Sequence, residues 1–325
     1  MRVGIFLNFE HGGEASREAF RAHIDLAVKA EACGVDELWV SEHHFSAFSQ
    51  SGGIFPILAH LAARTDKVRL GTAAVLTPLH DPIRAAEDLA TIDLLSDGRL
   101  NLGLARGGPF PWQYEHFHIV PEDAPAQARE ATHLLLALLT QQEVNFAGRW
   151  YQAKGVTTWP RPQQKSLPVF LASADKETVA EAARRGFHLM AGHAWSVASM
   201  RDLLVYYRGI AAKAPELVVL RNVCVAETDA RAEARARPAL ARFIEGMRAL
   251  PPGTASAGSV DQALRHALVG SPETCRRKLA ELAESVPIAS LVIKFACIDP
   301  MHKIETVDRF CAEILPRAIG EPAPA

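Results

Sequence analysis

Runs rich in apolar and β-branched residues alternate with longer stretches of helical periodicity along almost the whole chain. The short runs cover 3–9, 37–41, 68–75, 100–106, 168–172, 188–191, 217–225 and 290–296, and each reads as a strand. Helical patterns fill 16–33, 55–64, 82–95, 126–140, 175–185, 197–213, 229–250, 271–284 and 303–318. Local chemistry marks several ends. Ser16 is an expected N-cap and Gly34 an expected stop. Pro82 opens its helix where a missing N–H costs nothing, and Ser96-Asp97-Gly98 closes it. A hairpin is expected over 143–152, around Ala147-Gly148.

Strands that alternate with helices demand parallel pairing and right-handed crossovers. Eight such units favour a closed (β/α)8 TIM barrel, in the α/β class, spanning 1–325 as one domain. An open doubly wound sheet would want a G-x-G-x-x-G turn after the first strand. The chain has Asn8-Phe9-Glu10-His11-Gly12-Gly13 instead. One stretch breaks the rhythm: LPPGTASAGS at 250–259, rich in proline, glycine and small polar residues. It predicts a mobile insertion near residues 250–270, either a plain surface loop or a lid over the barrel mouth.

Composition narrows the function classes. The 325 residues are 49% hydrophobic and 22% charged, an ordinary globular balance. Lys+Arg number 35 against 37 Asp+Glu, so there is no basic excess for a nucleic-acid backbone or a membrane surface. No apolar run reaches the ~18 residues of a membrane span, and the N-terminus runs straight into a strand pattern. A cytoplasmic protein is expected. The five cysteines lie far apart, without a C-x-x-C pair, so neither disulfides nor zinc are expected; four of them sit among apolar or small neighbours and are expected to be buried.

Barrel active sites gather at the carboxyl ends of the strands. The second strand is followed by Glu42-His43-His44-Phe45. Adjacent side chains on extended backbone point opposite ways, so one histidine faces the axis, and His43 is the expected one. No third ligand group accompanies the pair, so no metal is expected. Small residues 71–74 after the third strand leave room either for close packing or for a flat ligand. Arg106, followed by Gly107-Gly108, offers a planar fork suited to phosphate, or to a plain salt bridge, and Arg129 could add a second fork. Ser173, Ala174, Asp175 and Thr178 open a helix, either as an anion site or as ordinary capping.

In this order these segments resemble the bacterial luciferase-like flavin monooxygenase family. The resemblance rests on AEACGVDELWVSEHHF (30–45), VRLGTAAVLTPLHDPIRAAEDLATIDLLSDGRLNLGLARG (68–107), PVFLASADKETVAEAARRG (168–186) and VGSPETCRRKLAEL (269–282). It implies a (β/α)8 barrel that uses FMN, reduced by a separate NAD(P)H:flavin reductase. It implies reaction with O2 through a C4a-(hydro)peroxyflavin to oxygenate a small apolar organic substrate. By the same similarity Arg106 and Arg129 match phosphate-contacting arginines, and Ser173, Ala174, Asp175 and Thr178 match the phosphate loop. Ala73 and Ala74 match a commonly cis peptide beneath the isoalloxazine, and His43 matches the catalytic histidine. The luciferase α subunit has a reactive cysteine where this chain has Ala105, which removes thiol chemistry but not flavin binding. Such a site must be dry, and Phe6, Phe9, Phe45, Phe110, Trp112 and Trp195 are the candidate walls. The alternatives are F420-dependent hydride transfer on the same barrel, or a flavin-binding relative without catalysis. A homodimer through the helices at 54–63 and 85–95 is expected.

Overall fold

A computed structural model describes residues 1–315 apart from 11, 14, 47, 48, 109 and 251–257. Its strands are β1 Arg2–Leu7, β2 Glu37–Val40, β3 Arg69–Thr72, β4 Val75–Leu76, β5 Leu100–Ala105, β6 Val144–Ala147, β7 Gln152–Val156, β8 Val169–Leu171, β9 His188–Ala191, β10 Leu217–Val225, β11 Leu268–Gly270 and β12 Ser290–Phe295. Eight of them pair in parallel as a closed ring, in the order β1-β2-β3-β5-β8-β9-β10-β12 and back to β1. This is a (β/α)8 TIM barrel, with the connecting helices outside it.

Period-two alternation explains how the ring is filled. Phe6, Trp39, Phe170, Met190, Val218, Leu220 and Val292 form one buried cluster inside the barrel. Trp39 is so large that the facing strand must carry glycine. A Cβ on Gly71 would lie 2.2 Å from the indole. Below this layer Glu37 is fully buried and accepts from Trp39 Nε1 and Ser290 Oγ, with Arg2 Nε at 2.6 Å. The outward faces of the strands and the inner faces of the helices form a second, larger apolar core.

Several expected boundaries move. The segment at 68–75 is two strands, β3 and β4, interrupted at Ala73-Ala74, whose peptide bond is cis. Ser16 is the first residue of its helix, and the cap position is Ala15, with no side-chain bond. Helix Ala124–Thr140 starts two residues earlier than its pattern, and helix Val197–Arg208 stops five earlier. The second hairpin strand begins at Gln152 rather than ending there. Helix Pro111–His116 carries no periodic signal, being only six residues long. Within the expected insertion, 251–257 lie outside the described residues. The remainder of the insertion is ordered: helix Val260–His266, then β11 paired with β10. The last helix, Pro300–Arg309, passes into a π turn at Phe310–Ile314, and 316–318 lie outside the described residues. Three cysteines, Cys224, Cys275 and Cys297, are buried, and Cys33 and Cys311 are only half-buried, one fewer buried than expected. Among the described residues no helix is long and apolar enough to cross a membrane.

Candidate active site

A cavity of about 290 Å³ opens at the carboxyl ends of β5 and β8. It brings together Arg106, Arg129, Ser173, Ala174, Asp175 and Thr178, which lie on three separate chain segments. Arg106 is exposed and makes no hydrogen bond or ion pair with another described residue. Arg129 is anchored: its Nη2 lies 2.9 Å from Glu177 Oε2 and its Nη1 3.9 Å from Asp175 Oδ2. Asp175 is the N-cap of helix Lys176–Arg185, accepting from Thr178 N at 2.9 Å and Thr178 Oγ1 at 2.8 Å. Partial burial pushes its carboxyl up. The two Thr178 bonds and the charges of Arg129 and Arg106 outweigh this and hold it below the usual range. Ser173 Oγ accepts from Asp175 N at 3.1 Å and keeps its own proton to donate. A dianionic phosphate fits this donor set: an uncommitted guanidinium, a second one behind it, and the amides of a helix N-terminus.

The sequence reading missed other lining residues, including Thr77, His133 and Glu181. His133 lies four residues after Arg129, and Glu181 four after Glu177, so each pair shares a helix face. The two helices are thereby joined by two rungs, Arg129–Glu177 and His133–Glu181, the latter at 3.0 Å. That i, i+4 spacing was the available signal. Burial and the nearby Arg185 hold the His133 imidazole below its ordinary value despite Glu181. Ala105 lines the same cavity with only a methyl group.

Ala73 and Ala74 stand at the break between β3 and β4, a short way along the same rim. Glu42, buried at 3% exposure, fastens this rim from below. Its Oε1 lies 2.7 Å from both His44 Nε2 and His80 Nε2, and its Oε2 accepts from Leu76 N at 2.8 Å. Of the two adjacent histidines, His44 is thus turned to Glu42, where it also packs on Phe117. His43 turns the other way, its ring 6.2 Å from Phe110. The charges acting on it include Glu10 and Lys294, from the ends of β1 and β12. Burial, helped by Lys294, lowers its pKa to about 4, so its imidazole is neutral at neutral pH.

Glu10 owes its place to a buried hydroxyl network. Ser41 Oγ and Ser49 Oγ donate to Asn8 Oδ1 at 2.7 and 2.9 Å, which turns Asn8 Nδ2 onto Glu10 Oε1 at 2.7 Å. Burial pushes the Glu10 carboxyl up, but Lys294, Lys303 and Asn8 hold it below the usual range. The flanking Phe9 and Phe45 adopt left-handed φ values of 48° and 55°, rare for bulky residues and found where function constrains the chain.

The aromatic candidates scatter. Trp195 lines the cavity, and Phe110, edge-on to His43, packs on Trp112 with ring centroids 5.3 Å apart. Phe45, 59% exposed, packs outward on His116 and Phe117. Phe6 belongs to the cluster inside the barrel, and Phe9 lies in the outer core against Phe20 and His23. Neither lines the cavity: Phe6 fills the inside of the barrel from β1, and Phe9, past the end of that strand, is buried in the outer core.

The sequence model of a family described as luciferase-like monooxygenase matches residues 1–287. Among curated relatives, the oxygenase component of a flavin-dependent trigonelline monooxygenase from Acinetobacter baylyi is 27% identical over 73% of this chain and 68% of its own length. An alkanal monooxygenase alpha chain from Photobacterium phosphoreum is 30% identical over 58% of this chain. An F420-dependent glucose-6-phosphate dehydrogenase from Amycolatopsis mediterranei is 35% identical over 54% of it. The chain spans about half the length of these last two relatives, 53% and 55%, and half that of an uncharacterised Sinorhizobium fredii protein, y4vJ, that is 32% identical. Among solved structures, monooxygenase RslO1 from Streptomyces bottropensis superposes with a TM-score of 0.90 at 24% identity, covering 98% of this chain and 100% of its own. The oxygenating constituent of 3,6-diketocamphane monooxygenase from Pseudomonas putida, in complex with FMN, gives 0.81 at 18%, covering 100% and 99%.

Proposed function

The chain belongs to the luciferase-like monooxygenase family, and from that premise we propose that it uses reduced FMN and O2 to oxygenate a small organic substrate. The observation that carries this reading is the cavity at β5 and β8, where Arg106, Arg129 and the start of helix Lys176–Arg185 converge. When bound, reduced FMN supplies the electrons that activate O2. The protein's own part is to bind, orient, keep water out and manage a proton. Arg106 and the Ser173 hydroxyl grip the phosphate, and Arg129 adds charge from behind. The Ala73-Ala74 rim receives the ring system. His43, neutral at neutral pH, takes or returns a proton at an imidazole nitrogen. Phe110, Trp112 and Trp195 exclude water.

The reductant comes from a separate NAD(P)H:flavin reductase; the trigonelline relative is likewise named as an oxygenase component. The protein works as a homodimer in the cytoplasm. Helix Pro82–Leu95 supports the dimer by exposing Leu94 and Leu95 at 40% and 57%, and sedimentation at a monomer mass near 35.3 kDa would contradict it. The F420 relative motivates a second reading, hydride transfer without oxygen. Anaerobic titration with FMN, FMNH2 and reduced F420, followed by mixing with oxygen, separates the two. Tight FMNH2 binding followed by oxygen uptake is expected. Binding of F420 alone, with no uptake, replaces this reading with the second.

A further inference from the structure

Across the barrel mouth from the phosphate cavity, one group of polar side chains has bonding capacity that the protein leaves unused. Lys294, at the end of β12, is almost buried, its side chain 11% exposed. Its ammonium has three donors. Its contacts among the described residues are Glu10 Oε1 at 3.4 Å and the face of Phe243 at 5.2 Å. A tight ion pair in this same protein, Arg2 with Glu37, closes to 2.6 Å. Asn8 Nδ2 shares the same Glu10 oxygen at 2.7 Å. Beside Lys294, on the neighbouring strand β10, Asn222 is 6% exposed. Its Nδ2 faces His193 Nδ1 at 3.4 Å, while its Oδ1 has no donor among the described residues. An unsatisfied buried carbonyl of this kind is costly and calls for a partner. Between Glu10, Asn222, Phe243 and Lys294 lies a cavity of about 20 Å³, which Arg242 and Lys303 also line, room for one water-sized group.

We propose that Lys294 and Asn222 form a subsite for a substrate hydroxyl, and that the substrate is a hydroxylated aromatic compound; this rests on the monooxygenase reading above. Hydrogen-bond pairing, not charge, decides against an acid, because Arg242 and Lys303 line the cavity as well: a carboxylate accepts from Lys294 but has no proton to give Asn222 Oδ1. A ketone or an ether oxygen accepts from Lys294 but leaves Asn222 Oδ1 without a donor. A hydroxyl does both, accepting from the ammonium and donating to the amide oxygen. The ring is called for by the surroundings: Phe243 stands edge-on to His193 at 5.0 Å and under Lys294, and Phe110, itself packed on Trp112, stands edge-on to His43. Glu10 and Lys294 act electrostatically on both His43 and His193, and His193 in turn faces Asn222 Nδ2.

The test uses the full chain and three probes of one shape: p-cresol, 4-methylanisole and toluene. Each is titrated calorimetrically into protein with and without FMN. Wild type is expected to bind p-cresol at least about tenfold more tightly than either of the others. Asn222→Leu keeps the volume and removes the acceptor. It should lose that preference while its FMN affinity and thermal midpoint stay at wild-type values. Equal binding of all three probes overturns the subsite, as does an unchanged p-cresol preference in Asn222→Leu. So does p-cresol that fails to bind, or a crystal soaked with it that shows only a water between Lys294 and Asn222. If Asn222→Leu does not fold, the double variant Glu10→Gln/Lys294→Met, which keeps the charge balance, must lose the preference instead; retention overturns the subsite. Failure of FMN to bind sinks the flavin reading separately, because the probe preference is also measured in the flavin-free protein.

Discussion

Two arginines read alike in the sequence turn out to differ in what their surroundings leave them to do. Arg106 has no partner among its described neighbours, whereas Arg129 is already committed to Glu177. Arg106→Ala should therefore weaken FMN binding on the order of 10- to 100-fold, the scale of a charge-assisted hydrogen bond, measured by fluorescence quenching of the flavin. Glu177→Gln should tighten it a few-fold, since an exposed ion pair is worth at most about 1 kcal/mol and its loss frees Arg129. A weaker complex would mean that Glu177 positions Arg129 rather than competing for it. His43→Ala should bind FMN normally and form no product; turnover at the wild-type rate would remove His43 from the chemistry. The orientation of His43 was legible from the alternation of side chains on extended backbone, and the Glu42 bonds that hold His44 aside agree with it. The subsite at Lys294 and Asn222 was not legible. Its members sit at position 222 on one strand and 294 on another, with no motif joining them.

At the scale of the element, the break between β3 and β4 shows how side chains can take over a ladder. Thr72 Oγ1 donates to Gly103 O at 2.6 Å and accepts from Gly103 N at 2.7 Å. The hydroxyl thus satisfies both backbone groups where the strand can no longer do so. The approach is so close that a Cβ on Gly103 would lie 2.0 Å from Thr72 O. Gly103→Ala should cost about 3 kcal/mol or more, since the obstacle is backbone rather than a flexible side chain, and urea unfolding would show it. Glu42 does the corresponding work on the other side of the break, joining the loop after β2 to Leu76 and His80. Replacement by alanine should cost about 2–4 kcal/mol, because the Leu76 N–H and two imidazoles lose a buried acceptor together. An unchanged midpoint would show that water replaces the carboxylate. The Asp97-Gly98-Arg99 turn has a structural reason. Arg99 donates to the carbonyls of Ala62, Thr65, Val68 and Ser96, closing the end of one helix onto the next strand.

For the whole molecule, the barrel mouth ties stability to pH. Burial lowers His43 to about 4 and His193 to about 3, against about 6.5 for an unfolded histidine. As pH falls below about 6.5 the unfolded chain takes up protons that the folded one refuses. Stability therefore declines from there towards pH 4, by at most about 1.4 kcal/mol per pH unit for each histidine. Thermal midpoints measured from pH 7 to 4.5 should fall, and fall less steeply in His43→Gln/His193→Gln. Parallel slopes for the two proteins would show that other groups drive the decline.

The order of apolar runs by itself determined a parallel barrel, because alternating strands and helices leave few other ways to bury both faces of a sheet. It also placed the phosphate-binding candidates, since strand ends and helix starts are local features. Tertiary structure alone decided which of them are free to bind, which aromatics face a cavity, and which buried polar groups lack a partner. Those properties depend on neighbours brought together by the closing of the ring, from strands far apart in the chain, and no local pattern records them.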